Sequence, residues 1–191
     1  SDVRYLTADK KGTIDIMVLM DNSNSMLGSK RTDAKNAIKT VFSNLVNNYG
    51  AGTKYTANVC LYTFSNSVTH RFGYQSLDSK NLSSINNKVE LIVGNIFGGT
   101  NTGLAFKTVY EKIAERKASC PNNTQVLFFL TDGVPSFGIT GENSTFGGPG
   151  NNYANEAVKY DNLLKNMGVK IYCLGINSDF KAISSQTEDT L

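Results

Sequence analysis

The sequence predicts an α/β protein built on a doubly wound, mostly parallel sheet, and three observations predict it. Apolar runs such as IDIMVLM (14–20) and QVLFFLT (125–131) lack the two-residue alternation of a half-exposed strand, so both faces of these strands are expected to be covered. Segments whose apolar residues recur at helical spacing lie between the runs. Strands and helices therefore alternate along the chain, which is the order that winds helices onto both faces of a parallel sheet.

Each element can be justified in turn. Ile14 to Met20 is the first strand. From Arg31 to Tyr49 the apolar positions Ala34, Ala37, Ile38, Val41, Phe42, Leu45 and Tyr49 fall on one helical face, and Gly50-Ala51-Gly52 ends it. Ala57 to Phe64 is a second strand. After the turn Ser65–Ser67, Val68 to Phe72 reads as its hairpin partner, which gives the sheet one antiparallel edge strand. Leu77, Leu82, Ile85, Val89 and Ile92 predict a helix. The stretch GGTNTG (98–103) is a loop that opens a further helix, running to about Arg116. Gln125 to Thr131 is a strand ending in Asp132-Gly133. A loop rich in Gly and Asn, Val134 to Asn152, leads to a helix near Tyr153 to Met167, and Val169 to Ile176 is the last clear strand. No internal repeat or linker interrupts the pattern. The expectation is one domain over residues 1–191, with a core of about 13–176.

The chain has 191 residues, with 40% hydrophobic and 18% charged residues, which is the composition of a globular domain able to bury its own core. A net charge of +3 is too small to argue for binding nucleic acid or a membrane surface. No apolar stretch approaches the length of a membrane span. The chain starts without a signal-like segment, as expected of a cytosolic chain, a mature chain or an excised fragment. The three cysteines are an odd number, with no Cys-x-x-Cys, and the single histidine is His70. A zinc site or a His-dependent triad lacks its parts. Cys60 and Cys173 lie in apolar runs and are expected not to pair with each other. Asn81, Asn122 and Asn143 begin N-glycosylation sequons, which lean toward a secreted setting.

The candidate chemistry lies at strand ends. The first strand ends in Asp21-x-Ser23-x-Ser25, and the 125–131 strand ends in Asp132. In an open α/β sheet, ligands bind at the carboxyl ends of strands, so these loops converge if the two strands are neighbours. The GGTNTG loop opens a helix and reaches the same rim. Taken singly, Asn, Ser and Asp are turn and cap residues. GGTNTG also lacks the lysine of a Walker phosphate loop. Taken together, the loops bring two carboxylates and several hydroxyls to one place, with no nitrogen or sulfur donor. That set suits a hard divalent cation, since Mg²⁺ takes oxygen ligands at about 2.0–2.1 Å. In Asp-x-Ser-x-Ser, alternate side chains can turn to one point while those between face away. Neutral hydroxyl ligands leave such a cation electrophilic, with room for an outside carboxylate.

At these residues the chain resembles the von Willebrand factor type A domains, which include the integrin I domains. Their metal-ion-dependent adhesion site has an Asp-x-Ser-x-Ser element, then a Thr, then an Asp. Asp21, Ser23 and Ser25 match the first element, Thr100 the second and Asp132 the third. The resemblance spans about Thr13 to Ile176. It implies a Rossmann-like fold, a bound Mg²⁺ or Mn²⁺, and adhesion to a protein ligand whose acidic residue completes the metal's coordination. The intact five-residue site together with the three sequons leads to the expectation of an extracellular or cell-surface location within a larger protein, with matrix proteins, surface receptors or glycans as ligand classes. Two departures stand out. After Ile176 only NSDFKAISSQTEDTL remains, where a typical member adds a strand and a long final helix, so the end is expected to be cut short or different. The long 134–152 loop leaves Asp132 directly, with Phe137, Phe146 and Tyr153 as contact candidates. An intracellular scaffold or assembly subunit with the same site is the alternative. A metal-assisted hydrolase is disfavoured, because the rim supplies no general base beyond the site's own aspartates.

Overall fold

The structure, a computed structural model, describes residues 12–49, 55–94, 98–133, 150–176 and 183–185. Strands β1 (Gly12–Asp21), β2 (Tyr55–Phe64), β3 (Val68–Leu77), β4 (Thr124–Thr131), β5 (Lys170–Gly175) and β6 (Ile183–Ser185) form one sheet in the order β3-β2-β1-β4-β5-β6. β2, β1, β4 and β5 run parallel, and the Rossmann-like arrangement expected from the sequence is present. β3 is the antiparallel edge the hairpin reading required. β6 adds a second antiparallel pairing, to β5. With three residues and no apolar run, β6 gives no periodic signal in sequence.

Helices α1 (Ser29–Tyr49) and α2 (Leu82–Glu90) cover one face; α3 (Thr102–Ser119) and α4 (Gly150–Asn166) cover the other. β1 shows why its run does not alternate. Ile14, Ile16, Val18 and Met20 pack into the layer with Ala34, Ile38 and Phe42 of α1 and Ile85 and Val89 of α2. Met17 and Leu19 enter the opposite layer, with Phe106, Val109 and Ile113 of α3. A two-residue period is still at work, but both of its faces are apolar.

Most boundaries fall within a few residues of those read from sequence. β3 is the largest departure, since it continues past Phe72 to Leu77. Its pairing with β2 shifts register between Val59 and Tyr62, and its outer residues are exposed, so the edge carries no clean alternation. α4 begins at Gly150, inside the stretch read as loop; residues 134–149, with Phe137 and Phe146, lie outside the described residues. Among the described residues no disulfide joins the cysteines. β1 and β4 stand between Cys60 on β2 and Cys173 on β5, as their expected lack of pairing requires.

Candidate metal centre

β1 and β4 are direct neighbours, in register up to Met20 opposite Leu130. The next residues, Asp21 and Thr131, are the last of their strands, and the Thr131 hydroxyl donates to Asp21 Oδ2 at 2.8 Å. The backbone N–H of Ser23 donates to Asp21 Oδ1 at 2.9 Å, closing a tight turn around the carboxylate. Ser23 then begins a short 3₁₀ turn, Asn24–Met26.

The predicted alternation is present. Ser23 Oγ and Ser25 Oγ lie 3.1 Å apart, and Ser25 Oγ donates to Asp132 Oδ1 at 2.9 Å. The intervening Asn22 side chain turns elsewhere: its Nδ2 donates to Val93 O at 2.9 Å, and its Oδ1 accepts from Arg31 Nε at 2.8 Å. Arg31 is itself buried against Gly94, where an added Cβ would stand 2.0 Å from the guanidinium carbon. Glycine at 94 thus lets the guanidinium reach and fix Asn22, and through it the site loop.

The third loop is tied in by backbone bonds. Asn24 N donates to Gly98 O at 2.9 Å, and Asn101 N donates to Ser65 O at 2.8 Å. Asn101 caps α3 by accepting from Leu104 N at 3.1 Å. Thr100, 6% exposed, sits between these anchors. Asp21, Ser23, Ser25 and Asp132 are thus joined in one hydrogen-bonded group, and Thr100 lies on a loop pinned to the same turn.

The electrostatics are uneven. Asp21 is 0% exposed. Burial raises its pKa above the ordinary carboxylate value; hydrogen bonds from Ser23 and Thr131 oppose the rise, and the nearby Asp132 carboxylate adds to it. Lys30, in the first turn of α1, donates to Asp132 Oδ2 at 2.9 Å. Among the described residues no cluster of three or more His, Cys, Asp or Glu exists, so an ion here would depend partly on hydroxyls. Oxygen donors from the β1 and β4 ends around a buried and poorly compensated carboxylate, with the Thr100 loop pinned beside them, fit a hard divalent cation.

The von Willebrand factor type A domain model matches residues 15–189. The chain belongs to this family. Solved structures with the same fold include the manganese-loaded TRAP protein of Plasmodium vivax, with TM-score 0.62, 19% identity, and coverage of 88% of this chain and 59% of that one. Proximal thread matrix protein 1 from the mussel byssus, with a zinc-occupied MIDAS motif, gives 0.60 and 20%, covering 93% and 42%. A von Willebrand factor type A protein from Catenulispora acidiphila gives 0.62 and 15%, covering 89% and 34%. The chain thus spans less than two thirds of each of these structures. No curated protein matches it in sequence.

Two residues at the site escaped the sequence reading. Thr131 orients Asp21, and its signal was available: it is the strand residue next to Asp132, in register with the end of β1. Lys30 is the other, and nothing local in the sequence says that it pairs with a residue 102 positions away. The sequons fare unequally. Asn81 Nδ2 donates to Ser76 O at 2.6 Å, Asn122 is exposed, and Asn143 lies outside the described residues.

Proposed function

We propose that the chain is an adhesion or protein-interaction module that captures an acidic residue of a protein ligand at a divalent cation. Asp21, Ser23, Ser25, Thr100 and Asp132 would hold the ion, directly or through water. The observation that carries this reading is the Ser23–Ser25–Asp132 chain of hydroxyls and carboxylate beside the fully buried Asp21. Bound Mg²⁺ or Mn²⁺ would supply an electrophilic position for the ligand's carboxylate. The chain's own residues do the rest. Thr131 and the Ser23 N–H aim Asp21, Asn22 and Arg31 fix the loop, and Asn101 holds the Thr100 loop at the helix start.

A protein ligand is favoured by the rim. Leu27, 44% exposed, follows the site turn, and Val93, 78% exposed, is tied to Asn22 through its carbonyl. Exposed apolar side chains beside a charged site are what a partner's surface would cover. Binding rather than catalysis is favoured because the described residues bring no free base to the site: His70 packs against Tyr62 on the hairpin, and Lys30 is paired. An extracellular or cell-surface setting, as one part of a larger protein, agrees with the similarity to a byssus thread protein. The thiols of Cys60 and Cys120 and the internally bonded Asn81 favour the second reading, an intracellular scaffold using the same site.

The test is binding to immobilised matrix proteins and to heparin, in Mg²⁺ and in EDTA. Wild type should bind a protein ligand in Mg²⁺ only. Asp132→Ala and Ser23→Ala should lose that binding while circular dichroism stays unchanged. Binding of wild type that is equal in EDTA would contradict the metal-bridged mechanism.

A further inference from the structure

The first turn of α1 carries two cations, Lys30 and Arg31, and no acidic residue. Positive charge there opposes the helix dipole. Gly28, with φ +76°, supplies the left-handed turn from which α1 starts, and Gly28 O accepts from Thr32 N. Arg31 is buried and anchored on Asn22. Lys30 is different. Its side chain is 25% exposed, while that of its partner Asp132 is 1% exposed. The two oxygens of Asp132 are shared between a neutral donor, Ser25, and this ammonium.

Resting on the metal-binding reading above, we infer that Lys30 is a displaceable counter-ion built into the site. Its ammonium neutralises Asp132 when no divalent cation is bound, opposes the entry of one, and afterwards remains at the rim as a second positive charge for the ligand's carboxylate. A lysine suits this role better than an arginine, being a compact charge on a flexible stem that can swing into water. The charge balance gives the direction. Asp21, Asp132 and Lys30 together sum to one net negative charge, and a divalent ion turns that sum positive. Without Lys30 the same ion only neutralises the two carboxylates. The lysine therefore weakens the hold on metal and strengthens the pull on an anion.

The measurement is Mn²⁺ affinity of the folded chain by calorimetry, for wild type, Lys30→Met, Lys30→Gln and Lys30→Arg, with circular dichroism as the folding control. The two neutral variants should bind Mn²⁺ about tenfold more tightly, or about 1.4 kcal/mol. Lys30→Arg should stay near wild type, since it keeps the charge. Neutral variants that bind Mn²⁺ no tighter than a wild type that does bind it would overturn the inference and leave the metal-binding reading intact. Absence of Mn²⁺ binding by all four proteins would overturn both.

Discussion

β1 buries a carboxylate near each end, and the two are treated in opposite ways. Asp15, near the start, and Asp21, at the finish, are both 0% exposed. Asp15 receives Arg116 Nε at 2.8 Å and Nη2 at 3.2 Å, Asn58 Nδ2 at 3.0 Å, Asn123 Nδ2 at 3.0 Å and Gln125 Nε2 at 2.9 Å. Burial alone would raise its pKa, but the hydrogen bonds from Arg116, Asn123, Gln125 and Asn58 outweigh it and hold the group below the ordinary value. Asp21 has one backbone N–H, the hydroxyls of Ser23 and Thr131, no cation hydrogen-bonded to it, and a second carboxylate nearby; burial wins. One end of the strand is complete within the chain. The other is less fully bonded, and under the function proposed above that contrast separates a structural carboxylate from a binding one.

The largest effect should come from breaking the complete end. Arg116→Met leaves Asp15 charged and buried, with amide donors only. It should lower the unfolding free energy by about 3 kcal/mol in urea titrations at neutral pH. The pH dependence has a definite sign. Because the folded state depresses the Asp15 pKa, its contribution is present above the ordinary value of 3.8 and is lost as pH falls through the lower, folded value. The variant should therefore show a shallower acid-side loss of stability than wild type. Divalent binding should be unaffected.

At the incomplete end the sign reverses. Asp21 has a raised folded pKa, so its contribution is fully present below 3.8 and is lost as pH rises through the folded value. Asp21→Asn removes the buried charge while keeping an acceptor for the Ser23 N–H. Without metal at neutral pH it should gain about 1 kcal/mol, read as a higher urea midpoint. Added Mg²⁺ should leave the variant unmoved. Destabilisation of the metal-free variant would mean that Asp21 is structural, as Asp15 is, and the comparison would fail.

The two ends were not equally legible in the sequence. The Asp21 end was, because its parts are local: Asp-x-Ser-x-Ser is contiguous, Asp132 and Thr100 mark a strand end and a helix start, and unalternating runs place both strands inside the sheet. Even the outward turn of Asn22 follows from alternation in a tight loop. The Asp15 end was not, because Arg116 lies 101 residues along the chain and no periodicity links the two. Lys30 was hidden for the same reason. Edge elements were hidden for another: beyond Phe72 β3 reads GYQSL, a glycine and then two polar residues between Tyr74 and Leu77, and β6 is three residues long, so neither leaves a periodic pattern.

The central claim is that the Asp21 end is finished by a divalent cation, and thermal unfolding tests it directly. Wild type, Ser23→Ala and Asp132→Ala are melted in EDTA and across a rising series of Mg²⁺ and Mn²⁺ concentrations. An ion that binds only the folded chain at 100 times its dissociation constant adds about 2.7 kcal/mol, so the wild-type midpoint should climb by several degrees. EDTA should reverse the climb, and both variants should stay flat. A wild-type midpoint that does not move with either ion, or one that climbs equally in the two variants, would contradict the account.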